Sequence, residues 1–80
     1  MVITGRHVAA ARELLQMTQQ ELAEGTDLGS ITIFRFEQGE PVRASTVEKI
    51  RTFLEGRGIR FLNGDNPGVQ RISDKKTTRL

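Results

Sequence analysis

The chain has 80 residues, a net charge of +2 and no cysteine, which limits it to one domain without disulfides or thiolate metal sites. It has no apolar run long enough to span a membrane and no secretory signal at its start, so a soluble cytoplasmic protein is expected. The charge is uneven, because residues 1–40 hold three Arg against six acids (−3) and residues 41–80 hold nine basic residues against four acids (+5). The acidic first half counts against binding to nucleic acid, whereas the basic second half offers candidates for phosphate contact.

The first predicted helix covers residues 5–16, with Thr4 as its N-cap. Arg12 lies on or beside the apolar face of this helix and needs a partner, because an unpaired buried charge is expensive. His7 is the only histidine and is expected to be a solvated surface residue. The apolar face recurs at helical spacing and holds Val8, Ala11, Leu14 and Leu15.

Residues 19–39 predict a short helix, a tight break and a second short helix. Thr18 and Glu21 have the spacing of a capping box, in which each side chain bonds a free backbone N–H of the other residue. Gly39, followed closely by Pro41, is expected to end the second of these helices. The apolar positions of the pair are Leu22, Ala23, Leu28, Ile33 and Phe36.

A fourth helix is predicted after Pro41. Residues 45–48, Ser-Thr-Val-Glu, have the spacing of a second capping box, so the helix is expected to begin there and to end near Glu55. Gly56 and Gly58 terminate it. Its apolar face holds Val47, Ile50, Phe53 and Leu54.

The last third changes from helical to strand periodicity. Residues 59–62 and 69–72 predict two short strands, joined by the turn-rich segment 63–68. A lone hairpin is only marginally stable, so it is expected to pack on the helices, to pair with another chain, or both. The fold class is thus mainly α, with four short helices and a C-terminal β-hairpin. We expect a helical domain over residues 1–56, a hairpin extension over residues 57–72 that packs on the domain or serves in dimerisation, and a flexible basic tail over residues 73–80.

The central stretch holds the motif residues Thr18-Gln19-x-x-Leu22-Ala23, Leu28, and Thr32-Ile33-x-x-Phe36-Glu37-x-Gly39. In these residues it resembles the XRE/Cro-repressor-like helix-turn-helix family. The pattern departs from the family at Asp27, where Gly is usual, and at Gly29, where Ser or Thr usually caps the second helix of the motif. Asp tolerates the left-handed conformation better than most residues, and Gly is an acceptable N-cap. The resemblance extends from Arg12 to about Leu54, roughly the first two thirds of the chain.

This resemblance implies a lambda-repressor-like fold and a sequence-specific transcriptional regulator of repressor type, which binds double-stranded DNA as a homodimer. The third helix would enter the major groove, and an Arg12–Glu37 ion pair would bridge the first and third helices. The expected base contacts are Ser30, Ile31, Phe34 and Arg35. The expected phosphate contacts are Gln19, Thr32, Gln38 and Arg43. For Gln19 and Arg43 an ordinary exposed residue is the alternative.

A second interpretation is a protein-interaction module, or an anti-regulator, on the same helical scaffold. It is favoured by the acidic first half and by Ile31 and Phe34, because an exposed apolar cluster usually contacts something. That contact would be thymine methyl groups or another protein. Two dimer surfaces are also possible, one formed by the hairpin edges and one by the loop 41–43. No residue cluster predicts an enzyme, a cofactor or a metal site.

Overall fold

The computed structural model describes residues 3–62 and 68–72. Within them the chain is mainly α, with four helices followed by a two-stranded antiparallel hairpin, as predicted. The predicted turn at 63–67 and the tail at 73–80 lie outside the described residues. None of the helices in the described ranges has the length and apolar character needed to cross a membrane. The elements are α1 (Gly5–Leu14), α2 (Gln19–Thr26), α3 (Ser30–Glu37), α4 (Ala44–Gly56), β1 (Ile59–Leu62) and β2 (Gly68–Arg71).

The N-terminus of α1 is closed by a capping box in which a histidine takes the place of the usual Glu or Gln. The backbone N–H of Thr4 donates to Nδ1 of His7 over 2.9 Å, and the Thr4 hydroxyl accepts from the His7 backbone. The imidazole is half-buried and meets the ring of Phe61 edge-on, with centroids 6.2 Å apart. The predicted surface histidine is therefore only partly solvated, because its side chain satisfies a helix-terminal donor.

Each of the four helices ends with a residue in the left-handed conformation, which after α4 is Gly58 (φ 93°). After α1 the turn residue is Gln16 (φ 57°), and the N–H of Met17 bonds the Arg12 carbonyl over 2.9 Å, the Schellman pattern. Helix α1 therefore ends two residues before the predicted boundary. Asp27 (φ 61°) after α2 and Gly39 (φ 98°) after α3 have the left-handed backbone that the sequence predicted. The C-terminal ends of α2 and α3 are thus fixed by the local backbone conformation.

The start of α4 differs from the prediction. The helix begins at Ala44, and Arg43 is its N-cap without any side-chain hydrogen bond. The backbone of Arg43 is extended (φ −64°, ψ 149°), so Ser45 already lies inside the helix and the predicted capping box at 45–48 does not form. Glu48 bonds Arg51 instead, a favourable pairing at i, i+3.

The core collects one face from every helix and the first residue of β1. The hairpin packs on the helices as predicted, with β2 against α1 and β1 against α4. Phe61 pairs with Val69 across the hairpin, and Arg71 Nη1 donates to the carbonyl of Leu14 over 3.3 Å. Strand β2 begins and ends one residue earlier than predicted. The buried apolar residues are Ile3, Val8, Ala11, Leu22, Ala23, Ile33, Phe36, Ile50, Leu54 and Ile59.

Helix α1 meets α3 backbone to backbone. Gly5 is buried, and a Cβ placed on it would lie 2.0 Å from the carbonyl oxygen of Phe36 and 2.8 Å from the Cα of Glu37. Any side chain at this position would collide with main-chain atoms, which cannot rotate away. The contact therefore sets how closely α3 lies against α1.

Candidate functional site

The rotation of α3 is fixed by two buried side chains. Ile33 is fully buried and Phe36 is 7 % exposed, so the opposite side of the helix faces solvent, as predicted. Thr32 lies at the edge of this side and is half-buried. We call the exposed side the α3 face, and it consists of Ser30, Ile31, Phe34, Arg35 and Gln38.

The centre of the α3 face is apolar. Ile31 is 59 % exposed and Phe34 is 46 % exposed. They are three residues apart, so they are neighbours on the helix surface. Arg35 lies one turn beyond Ile31 and is also exposed, which places one cationic side chain beside the apolar pair.

An ion pair between Arg12 and Glu37 ties α1 to α3, and it has the partners that the sequence predicted. Nε of Arg12 lies 2.9 Å from Oε2 of Glu37, and Nη2 lies 3.0 Å from Oε1. Nη1 donates to the carbonyl of Met17 over 2.9 Å. Hydrogen bonding to Glu37 raises the pKa of Arg12 above its ordinary value, against the opposing effect of partial burial. The guanidinium thus stays charged and uses all three of its nitrogens.

Gln19 joins the same network from α2. Its Nε2 donates to Oε1 of Glu37 over 2.9 Å, so the Glu37 carboxylate, whose side chain is 5 % exposed, accepts from both α1 and α2. One of the two amide N–H groups of Gln19 remains for a further partner. The sequence did not reveal this bond, because an 18-residue separation carries no local spacing signal.

The charges around the α3 face are arranged asymmetrically. The single acidic residue of α3, Glu37, is neutralised by Arg12, and the first turn of α3 holds no acid. Among residues 3–62 and 68–72, Arg35 takes part in no ion pair. Arg43 is exposed at the start of α4, in the loop that also holds the exposed Glu40. The α3 face itself therefore presents positive charge and apolar surface.

The predicted contact residues are only partly gathered in one place. The four predicted base contacts and Gln38 share the α3 face, and Thr32 borders it. Gln19 contributes to the network behind α3, and Arg43 lies on the loop beyond it. The predicted DNA-contact residues thus form one continuous surface on α3, with Gln19 and Arg43 lying apart from it.

The described residues offer no comparable cluster elsewhere. They contain no group of three or more His, Asp or Glu side chains placed to hold a metal ion. Two open grooves are present, one of about 560 Å³ between α1 and β2 and one of about 690 Å³ between the end of α2 and α4. The first groove is lined mainly by apolar residues of α1 together with Arg12 and Glu13, and the second is lined by polar side chains of α2 and α4 together with Phe53.

Comparison of the chain with protein-family models, with curated proteins and with solved structures finds no match.

Proposed function

We propose that the protein is a sequence-specific DNA-binding transcriptional regulator of repressor type, in which α2 and α3 act as a lambda-repressor-like helix-turn-helix. The α3 face supports this proposal, because it joins an exposed Arg35 to uncharged side chains and carries no free carboxylate. An α-helix fits the major groove of B-DNA. The Arg12–Glu37–Gln19 network holds the helix that would enter it.

The proposed roles divide between base edges and phosphates. Arg35 would donate two hydrogen bonds to the acceptor edge of a guanine, with Ser30, Ile31 and Phe34 contacting the neighbouring bases. The N-terminus of α2 favours an anion, so the remaining amide N–H of Gln19 would bond a phosphate. Thr32, Gln38 and Arg43 would make the other backbone contacts, which fix the position of the protein on the duplex.

Replacing Arg35 with Ala is expected to relax base preference at one base pair in each half-site, at a cost of about 1–3 kcal/mol in discrimination. Replacing Arg43 with Ala is expected to weaken binding to all sequences alike and to reduce the salt slope by about one unit. The measurement starts from fragments selected out of random DNA, followed by titration of single-base variants at several salt concentrations. Lys49→Ala, which removes an exposed Lys on α4 outside both the α3 face and the hairpin, is the matched control for charge loss.

An Arg35→Ala protein that is folded and keeps both its affinity and its base preference would argue against this use of α3. Equal effects of Arg35→Ala and Lys49→Ala would mean that only total charge matters. Either result would move the protein-interaction alternative ahead.

We also propose a homodimer. Both outer edges of a two-stranded sheet have unpaired backbone groups, and pairing one edge across a two-fold axis would cover the half-buried Phe61 or Val69, whereas Ile59 is already buried in the core. Two α3 faces would then meet half-sites about 34 Å, or a multiple of it, apart. Sedimentation should show twice the chain mass at micromolar concentration, and bound DNA should carry an inverted repeat. A monomeric mass together with a single half-site would contradict the dimer.

The second candidate is a protein-interaction module on the same scaffold, favoured by the exposure of Ile31 and Phe34. A salt series separates the two candidates. DNA binding falls steeply with salt through counterion release, whereas contact between apolar protein surfaces does not.

A further inference from the structure

The apolar centre of the α3 face is small and enclosed by polar groups. Ile31 and Phe34 are its two exposed apolar side chains, and Ser30, Arg35 and Gln38 surround them. A stable protein–protein interface uses about 20–30 residues on each side. Two side chains on an eight-residue helix do not approach that size, so a smaller apolar target suits this surface better.

The charge around the pair favours DNA as the partner. The Glu37 carboxylate accepts hydrogen bonds from Arg12 and Gln19, and Arg35 is exposed beside the apolar pair. A phosphate-lined groove would complement this arrangement. In the major groove, the C5-methyl group of thymine is the apolar feature of the base edges, which otherwise present hydrogen-bond donors and acceptors.

We propose that Ile31 and Phe34 recognise C5-methyl groups of pyrimidines in the major groove, whether the methyl belongs to thymine or to 5-methylcytosine. This inference rests on the proposed DNA-binding function and specifies what the centre of its reading surface selects. Neither side chain can donate or accept a hydrogen bond. Against an unmethylated cytosine or a purine edge they would leave a base donor or acceptor desolvated without a partner, which is costly.

The test removes the methyl group and nothing else. A DNA site selected by the protein is resynthesised with deoxyuridine in place of each thymine in turn, and the affinity of each duplex is measured. Burial of one methyl-sized group corresponds to about a fourfold change in affinity. One or two positions in a half-site should lose about fourfold, and the remaining thymines should tolerate the change.

Protein variants assign the effect to the two side chains. In Ile31→Ser or Phe34→Ser, the ratio of thymine to deoxyuridine affinity at one sensitive position should fall from about fourfold to one. Ile72→Ser is the matched control, because Ile72 is 44 % exposed outside α3, and it should keep the full ratio. The ratio is insensitive to any general loss of affinity.

A last arm distinguishes the two sources of the methyl group. At a sensitive position the T·A pair is replaced by C·G, with and without a methyl group at C5 of the cytosine. Methylation should restore about fourfold in affinity. No gain from methylation would overturn recognition of the methyl group itself.

The methyl-recognition inference fails, while the proposed DNA-binding function stands, if the protein binds DNA tightly and salt-dependently but deoxyuridine lowers the affinity at no position. It also fails alone if the thymine-to-deoxyuridine ratio persists in both serine variants. If no DNA is selected by the wild-type protein, the proposed function fails and the inference fails with it.

Discussion

Replacing Gly5 with Ala is expected to destabilise the fold by about 3 kcal/mol or more, at the upper end of the cost of overpacking. The added Cβ would lie 2.0 Å from the carbonyl oxygen of Phe36 and 2.8 Å from the Cα of Glu37. Both neighbours are main-chain atoms, so α1 and α3 must move apart as whole elements. For a domain of this size the melting temperature should fall by roughly 12 °C or more, as followed by circular dichroism.

Gly56→Ala is the matched control. Gly56 closes α4, and a Cβ there meets no atom within 4 Å. The same substitution should be neutral or stabilising by about 0.4–1 kcal/mol, because Ala reduces the freedom of the unfolded chain. Equal stability of Gly5→Ala and the wild type would show that α1 and α3 can separate without cost.

Breaking the Arg12–Glu37 pair is expected to cost about 3–5 kcal/mol, because the remaining partner is left as an uncompensated charge. Arg12→Ala leaves a carboxylate of 5 % exposure with Gln19 as its remaining hydrogen-bond donor. It also removes the hydrogen bond that Arg12 Nη1 donates to the Met17 carbonyl, and this bond holds the turn between α1 and α2. Urea unfolding gives the free energies of the wild type and of each variant.

The two exposed ion pairs of Arg51 on α4 are the control for this effect. Arg51→Ala removes its bonds to Glu48 and Glu55, and because solvent screens exposed pairs the loss of stability should be much smaller than that of Arg12→Ala. The Arg12→Ala, Glu37→Ala double variant should lose less than the sum of the single losses. Additive losses, or an Arg12→Ala cost as small as that of Arg51→Ala, would mean that the bridge adds little.

The features predicted correctly from sequence are those that local spacing encodes. Thr18 and Glu21 form the predicted capping box, and Asp27 and Gly39 adopt the left-handed backbone. The spacing of Ile33 and Phe36 gave the rotation of α3, and with it the composition of the exposed face. The Arg12–Glu37 contact came from the family resemblance, since no local pattern joins residues 25 apart.

The features missed have two causes, a three-dimensional neighbour in the case of Gly5 and ambiguous local cap signals in the cases of His7 and α4. Gly5 reads as a weak helix former, and only the approach of α3 explains it. His7 was misjudged because a histidine in a capping box gives a weaker signal than a glutamate. The start of α4 was misplaced, because Ser45 and Glu48 offer a plausible box that the extended backbone at Arg43 pre-empts. For the site, the sequence indicated which side chains face outward, and DNA as their partner stays a prediction.

The cap of α3 bears on how this chain tolerates mutation. Gly29 provides no side-chain oxygen to the first turn, although its backbone (φ −75°, ψ 146°) suits any residue and a Cβ there would meet Thr32 Oγ1 only at 4.0 Å. Serine at this position would therefore add stability of roughly a few tenths of a kcal/mol. The chain thus retains an unused stabilising step next to the α3 face, and sequences diverging at Ile31, Phe34 or Arg35 could draw on it to offset losses incurred while acquiring a new specificity.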